Sequence, residues 1–135
     1  MCQIHTRIRL SNPRESSLAP LDVEALVDTG AITLCVPEHV AKRLNLETLE
    51  QRDVSTADGQ RRKCDYAGPV KLQFGNRACF SGALVLGDSV FLGAIPRDDM
   101  DLIVHPAGRN LTVNSESPNI PSVIVKGSVK YVSPA

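Results

Sequence analysis

The sequence has neither an excess of charge of one sign nor a long apolar run, and each absence argues against a class of protein. It contains no tryptophan, only 4% aromatic residues, and fifteen basic residues that are balanced by fifteen acidic ones. This balance gives no electrostatic reason to expect binding to nucleic acid or to an anionic membrane. No apolar run is long enough to span a bilayer, and the first residues do not resemble a secretory leader. We therefore expect a cytoplasmic protein that binds neither nucleic acid nor membrane.

The residues that bind metals or form disulfides follow no recognisable pattern. The three histidines are spaced irregularly, and the four cysteines contain no CxxC pair: Cys2, Cys35, Cys64 and Cys79. In a reducing compartment these cysteines are expected to be free thiols. The acidic cluster Asp98, Asp99 and Asp101 is better explained as the acidic first turn of a helix than as a cation site. We expect no metal and no other cofactor.

Length and composition indicate one globular domain followed by a tail. The chain has 135 residues, 42% of them hydrophobic, and no internal repeat. This is enough to form a modest core without disulfides or metals. We place the domain at residues 1–114. Residues 115–135 form a tail that is polar and broken by prolines at first and then alternates in polarity, which favours edge strands or strands at a subunit interface.

The periodicity of the domain predicts many short strands and one or two short helices. Gln3 to Leu10 alternates between apolar and polar residues, which indicates a half-exposed strand that pairs with a second strand ending before Asp28. Pro37 to Leu44 is the clearest helix, with an apolar residue every fourth position and Asn45 as its C-terminal cap. Further strands are predicted at 70–74 and 78–86. The fold class is therefore mostly β.

Two hairpins and a second helix complete this interpretation. Asp58-Gly59 lies between extended, polar runs and predicts a hairpin that projects from the body. The nearby basic run Arg61-Arg62-Lys63 is interpreted as a solvated flank of that turn. Residues 101–104 and 110–113 predict another hairpin, and Pro96 to Met100 predicts a short helix with acids in its first turn.

The triplet Asp28-Thr29-Gly30 is the most informative motif, and it occurs once. It lies between two apolar, strand-like segments at 23–27 and 32–36, so its carboxylate sits on a tight turn of small residues. Gly30 accepts backbone conformations that other residues resist, and the Thr29 hydroxyl is able to hydrogen-bond to neighbouring backbone. The arrangement suits half of an aspartic protease site. Without further features, however, a surface turn that satisfies its own backbone explains the triplet better than a catalytic site does.

The order of these features resembles the retropepsin-like aspartic proteases, in particular the bacterial single-domain members. The features are the triplet with Ala31, the proline-initiated helix, the Asp-Gly hairpin and the apolar-Leu-Gly segment at 90–94. They cover about residues 23–113. The resemblance implies a closed β-barrel of the acid-protease half-domain type with one or two short helices. Since one triplet supplies half of a catalytic pair, it also implies a homodimer acting on a peptide or protein substrate.

The resemblance assigns roles to individual residues. Asp28 matches the catalytic aspartate, Thr29 the residue that locks the two active-site loops together, and Gly30 and Ala31 the floor of the substrate cleft. Ala57, Asp58 and Gly59 match the tip of the flap that closes over substrate. Leu92, Gly93 and Ala94 match a second apolar-glycine element behind the active-site loop. This chain departs from viral members at Ile32, where they carry an aspartate, and at Ala94, where they carry its arginine partner.

The functional prediction is an aspartic endopeptidase in which Asp28 of each subunit activates a water molecule. The main alternative is a non-catalytic module of the same fold that binds a peptide or a partner chain. A third hypothesis, a small protein of a toxin–antitoxin or regulatory pair, has no positive support in the sequence. Substrate, cleavage preference and pH optimum are not encoded in any motif of this chain.

Overall fold

The protein, described from a computed structural model, consists mainly of short strands. The structure describes residues 4–27, 30–123 and 125, and these ranges contain nine strands and two short helices. In chain order the elements are β1 (Ile4–Ser11), β2 (Leu21–Val27), β3 (Leu34–Val36), α1 (Glu38–Arg43), β4 (Glu47–Ser55), β5 (Arg61–Phe74), β6 (Arg77–Val85), β7 (Val90–Leu92), α2 (Ala94–Asp99), β8 (Leu102–His105) and β9 (Asn110–Val113). The mostly β fold class is confirmed.

Six of these strands close into a barrel. Hydrogen-bonded neighbours follow the order β1, β2, β7, β3, β6 and β5, and an antiparallel pairing of β5 with β1 completes the ring. Each of the six therefore has a neighbour on both sides, which removes the open edges of a flat sheet. β4 extends the sheet outside the ring by pairing with β5, and β8 and β9 form a separate two-stranded sheet. The prediction of a closed, retropepsin-like barrel is confirmed.

The connection that contains the Asp-Thr-Gly triplet passes from one side of β7 to the other. β2 runs parallel to β7, with Val27 opposite Leu92, whereas β3 runs antiparallel to β7, with Cys35 opposite Phe91. β3 then pairs in parallel with β6. The chain therefore leaves β2 at Val27, opposite the C-terminal residue of β7, and its next strand, β3, lies on the other side of β7.

Alternating side chains of the barrel strands fill the core. In β1 the apolar positions Ile4, Ile8 and Leu10 are buried while their neighbours face solvent, as the alternation predicts. Leu34, Leu72 and Leu92 of other strands are completely buried, as is Leu10. Each such side chain contributes about 1.5–3 kcal/mol relative to an exposed one. The predicted hairpin between the first two strands is also confirmed, with antiparallel pairing from Ile4 to Leu10.

The first helix forms where the sequence predicts it. α1 begins after Pro37 and ends before Leu44, and Val36, Val40 and Leu44 form its buried stripe. Asn45 follows with a positive φ of 50°. Its amide donates to the Lys42 carbonyl and the next amide, of Leu46, donates to the Ala41 carbonyl, each at 3.0 Å. This is the pair of hydrogen bonds of a Schellman C-cap, so Asn45 ends the helix as predicted.

The hairpin around Asp58-Gly59 is longer than the sequence predicts. β4 and β5 pair from residue 47 to residue 68, and the loop between them runs from Thr56 to Gln60. Every residue of β4 is exposed except Val54, which is half-buried. The hairpin therefore projects from the body, as its polar composition predicts. Most of β4 was not predicted, because its exposed residues are mainly polar and its two apolar residues, Leu49 and Val54, do not alternate with them.

The second helix begins two residues earlier than predicted, and its acids lie at the other end. α2 starts at Ala94, so Pro96 is its third residue, while Asp98 and Asp99 lie in its last turn. The interpretation of these acids as a helix opening is wrong. Proline is tolerated at the third position because the first N–H groups of a helix have no intrahelical acceptor.

The end of the described chain is a hairpin followed by irregular backbone. β8 and β9 pair from Leu102 to Val113, which confirms the predicted hairpin. Residues 114–123 form turns and bends and contain no strand. Most of the segment for which the sequence analysis predicts edge or interface strands, residues 126–135, lies outside the described residues, so that hypothesis stays a prediction.

Candidate active site

The candidate site lies between two described segments, which end and begin on either side of the predicted catalytic aspartate. Asp28 and Thr29 themselves lie outside the described residues. Val27, directly before them, is 5% exposed and ends the strand that pairs with β7. Gly30 and Ala31, directly after them, begin the described part of the loop that leads to β3. The barrel thus fixes both flanks of the triplet, because β2 and β3 are each hydrogen-bonded to β7.

Gly93 allows this loop to pack directly on the end of β7. A Cβ atom added at Gly93 would lie 2.5 Å from the carbonyl carbon of Ile32 and even closer to the carbonyl oxygen of Thr33. Real side chains essentially never approach backbone so closely, so only glycine fits here. Two elements that the sequence analysis names separately, the Ala31 loop and the Leu92-Gly93-Ala94 segment, are therefore in contact.

The first amides of α2 also hold the loop. The Ala94 amide donates to the Ala31 carbonyl at 3.0 Å, and the Ile95 amide donates to the Ile32 carbonyl at 2.8 Å. These amides lie in the first turn, where N–H groups have no acceptor within the helix. Arg97 adds a bond inside the same region, from its Nε to the Gly93 carbonyl at 3.1 Å. The first turn of α2 therefore extends the hydrogen bonding between β7 and its neighbours to the triplet loop.

Two isoleucines next to the loop expose unusual amounts of apolar surface. Ile32 is 67% exposed and Ile95 is 58% exposed, and the hydrogen bond above joins their backbones. From the sequence, Ile32 stands out only as a departure from viral members, and Ile95 was not predicted to lie at the site. No local signal marks Ile95, because the sequence places it at the end of an apolar segment, whereas the structure places it in the first turn of α2.

The tip of the projecting hairpin is ordered by its own side chains. The Thr56 hydroxyl donates to the Asp58 carboxylate, which also accepts the Gln60 amide at 3.1 Å. These hydrogen bonds, the Thr56 bond foremost, lower the pKa of Asp58. Gly59 has a φ of +83°, and the space around it is open. Ala57, Asp58 and Gly59 therefore form a defined turn at the end of an exposed hairpin.

A stack of three residues ties the base of the hairpin to the barrel. The guanidinium of Arg52 in β4 lies 3.6 Å from the ring centre of Tyr66 in β5. On the barrel side, the Tyr66 ring occupies the space that a side chain at position 82 would need, so Gly82 of β6 makes room for it. A cation–π contact of this kind contributes about 0.5–1 kcal/mol at an exposed site. The hairpin is thus fixed at its base and exposed at its tip.

Thiols and carboxylates do not form a second reactive centre in the described ranges. Cys35, Cys64 and Cys79 are all buried, and Cys64 and Cys79 are free thiols. Burial, with a smaller effect of the Asp99 charge, raises the pKa of Cys79 to about 12, so this thiol stays protonated. Among the described residues there is no group of three or more histidine, cysteine, aspartate or glutamate side chains arranged to hold a metal ion. Across the same residues, no helix is both long and apolar enough to cross a membrane.

The family of the chain follows from a sequence model that covers this whole arrangement. The model of the gag-polyprotein putative aspartyl protease family matches residues 19–110, which include β2, the triplet loop, the hairpin, β7 and α2. The chain belongs to this aspartyl protease family. No curated protein matches the chain closely enough to serve as a relative. Family membership agrees with the resemblance found in the sequence, and the closed barrel is consistent with a retropepsin-like half-domain.

Proposed function

We propose that this member of the aspartyl protease family is an endopeptidase that acts as a homodimer, with Asp28 of each subunit in one shared site. The observation that carries the proposal is the single Asp-Thr-Gly triplet, which lies within the residues matched by the family model. The strand before it is paired with β7, and the loop after it accepts hydrogen bonds from the first turn of α2. A chain with one triplet supplies one carboxylate, and the chemistry needs two.

The proposed chemistry follows from placing two carboxylates side by side. Like charges at close range cannot both ionise cheaply, so the pair holds one proton and titrates as a unit. The ionised carboxylate takes a proton from a bound water, and the water attacks the scissile carbonyl carbon. The protonated carboxyl donates a hydrogen bond to the oxygen that becomes negative. No metal or cofactor enters this mechanism.

The apolar surface exposed beside the triplet loop is the observation that favours a dimer in this proposal. Ile32 and Ile95 together present large aliphatic side chains to solvent at the edge of the triplet loop. Such exposure is unfavourable in a monomer and is typical of a surface that a partner or a substrate covers. A two-fold arrangement that brings two Asp28 side chains together would bring the two loops, and therefore these isoleucines, near the same axis.

The hairpin of β4 and β5 is proposed as the flap over the substrate. Its tip is exposed, its turn is ordered by Thr56, Asp58 and Gln60, and its base is fixed by the Arg52–Tyr66 stack. A hairpin with a fixed base and a free tip is able to contact an extended peptide through its backbone. Gly59 is the one glycine of the tip, so we expect movement of the hairpin as a unit rather than bending within the tip.

The proposal is tested by peptide cleavage with two matched variants. An unbiased peptide pool is incubated at about pH 4 to 7 with the wild type, with Asp28→Asn and with Asp98→Asn. Asp98 is an exposed aspartate of α2, so its substitution controls for the loss of one carboxylate from the surface. We expect cleavage by the wild type and by Asp98→Asn, and none by Asp28→Asn.

Two other outcomes decide against the proposal. Equal cleavage by the wild type and Asp28→Asn would place the chemistry elsewhere. Silence from all three proteins, with a folded dimer confirmed by sedimentation, would favour the alternative of a peptide-binding module on the same fold. In that case peptide binding should survive the Asp28→Asn change, because recognition by the hairpin does not need the carboxylate.

A further inference from the structure

A short segment after β9 is tied back to one aspartate. We call residues 114–122 the C-terminal strap. The Asn114 amide donates to the backbone carbonyl of Asp101 at 3.1 Å, and its side-chain amide donates to the Asp101 carboxylate at 3.0 Å. The same carboxylate accepts the Ser117 hydroxyl and, at 2.9 Å, the Ser122 amide. The beginning, middle and end of the strap therefore converge on Asp101.

The strap also covers a buried cation. Arg77 of β6 is 1% exposed, and its Nη2 donates to the Ser117 carbonyl. Its Nε and Nη1 are buried and, within the described residues, have no hydrogen-bond partner. The neighbouring Asn76 donates from its side chain to the Pro118 carbonyl at 2.8 Å. A buried guanidinium needs a compensating anion nearby, and the Asp101 carboxylate interacts with it electrostatically.

Asp101 lies at one end of α2, and the triplet loop lies at the other. The Asp101 amide donates to the Asp98 carbonyl at 3.1 Å, which continues the last turn of the helix. At the first turn, Ala94 and Ile95 donate to the carbonyls of Ala31 and Ile32. A six-residue helix is only about 9 Å long and has few bonds of its own, so its orientation depends on what holds its ends.

We propose that Asp101 is a positioning residue for the candidate active-site loop. Asp101 holds the strap over Arg77, the strap and Arg77 fix the C-terminal end of α2, and α2 in turn fixes Ala31 and Ile32 next to the triplet. The inference rests on the proposed function for its catalytic consequence. Its structural part, the connection between strap, helix and loop, stands independently of any reaction.

Asp101→Asn is the variant that tests this connection most directly. Asp101 has a positive φ of 55°, a conformation that asparagine accepts readily, so the backbone is not disturbed. The substitution removes the charge and replaces one acceptor oxygen with a donor group. Asp98→Asn, one turn earlier on the exposed side of the same helix, is the matched control.

The first readout is amide hydrogen exchange. In Asp101→Asn we expect roughly tenfold faster exchange for the Ser122 amide, because its hydrogen bond to a charged acceptor is lost. The Ser117 amide, which donates to the Asn114 carbonyl inside the strap, should also exchange faster because the strap loosens when the Ser117 hydroxyl loses the same acceptor. At the Ala94 and Ile95 amides we expect an increase of about threefold or more, since local opening spreads along the helix. Barrel amides such as that of Leu72 should keep their wild-type protection, and Asp98→Asn should change none of these rates.

The second readout is the kinetics of peptide cleavage. We expect Asp101→Asn to lower kcat by about threefold to tenfold with KM unchanged, because a displaced loop impairs the chemical step more than substrate binding. If the wild type cleaves nothing, the proposed function fails, while the exchange rates at Ala94 and Ile95 still decide the structural connection.

Two results would overturn the inference. One is a loosened strap with wild-type exchange at Ala94 and Ile95 and wild-type kcat, which would show that the strap and the loop are independent. The other is a strap whose exchange does not change at all. If Asp101→Asn does not fold, Ser117→Ala takes its place, since it removes one donor and keeps the carboxylate. The same amides should then exchange faster by a smaller factor, and an unchanged pattern would again decide against the inference.

Discussion

Substitution of Gly93 by alanine is the sharpest test of how the active-site loop is supported. The new Cβ would lie 2.5 Å from the Ile32 carbonyl carbon, whereas ordinary contacts begin at 3.4 Å. The Thr33 carbonyl oxygen would be closer still, so the loop and the β7–α2 junction must separate by at least about 0.9 Å, because neither neighbour is a flexible side-chain end. Overpacking of this kind costs about 1–3 kcal/mol of the free energy of unfolding, which a domain of ordinary stability survives.

The effect on activity should be larger than the effect on stability. A displacement of about 1 Å near reacting groups lowers rates about 100-fold, so Gly93→Ala should be folded and nearly inactive if the proposed function holds. Urea unfolding measures the first effect and peptide cleavage the second. In addition, the Ala94 and Ile95 amides should exchange faster, because the alanine separates them from their acceptors.

The control is Gly75→Ala, at the turn between β5 and β6. Gly75 has a φ of +56°, but a Cβ there would make only an ordinary 3.6 Å contact with Val113. Alanine at this position costs about 1–2 kcal/mol through its backbone conformation and leaves the loop in place. Similar stability losses with very different activities would support the reasoning. Wild-type stability and wild-type exchange at Ala94 and Ile95 in Gly93→Ala would refute it.

Three further predictions follow from the site, the strap and the first helix. In an equal mixture of wild type and Asp28→Asn that exchanges subunits freely, about a quarter of the dimers are wild type at both positions, so cleavage should fall to about a quarter rather than a half of that of pure wild type. Hydrogen bonds from Ser117, Ser122 and Asn114 lower the pKa of Asp101 to about 2, below its ordinary value of 3.8. The ionised carboxylate therefore contributes stability above pH 3.8, and this contribution is lost as the pH falls towards 2. Urea unfolding across this range should show a steeper decline in stability for the wild type than for Asp101→Asn. Asn45→Ala should lower the free energy of unfolding by about 1–2 kcal/mol because of its positive φ, whereas Asn45→Gly, measured by the same method, should lose less.

The sequence was most informative where apolar periodicity and turn chemistry agree. The buried stripe of α1, its Asn45 cap and the alternation of β1 were predicted residue by residue, because each depends on local pattern. β4 was missed for the opposite reason: an exposed strand held by one neighbour has no apolar face, so nothing in its composition distinguishes it from a loop. The start of α2 was misplaced because its first amides bond to the triplet loop, a tertiary contact that no local signal encodes.

The residues of the candidate site were predictable from the sequence, but the contacts that hold them in place were not. The triplet and the Leu92-Gly93-Ala94 segment are motifs, and the family model covers both. The two motifs are in contact because β2 and β3 pair with opposite sides of β7. This arrangement is a property of the whole barrel and not of a local segment. Asp101 and Arg77 belong to no sequence motif. They lie 24 positions apart, and each is hydrogen-bonded to Ser117 of the strap. Such long-range polar contacts depend on the complete fold.

The position of β4 outside the closed ring has a consequence for the solubility of the protein. Among the described strands of this sheet, β4 is the terminal one, so one side of its nine-residue backbone has no strand beside it. An open edge of that length is a template for pairing with other chains and for aggregation. Here the edge carries Glu47, Glu50, Arg52 and Asp53, all exposed. An antiparallel copy of β4 would have to bring these mainly acidic side chains together, so their charge protects the one strand of this sheet that lies outside the closed ring.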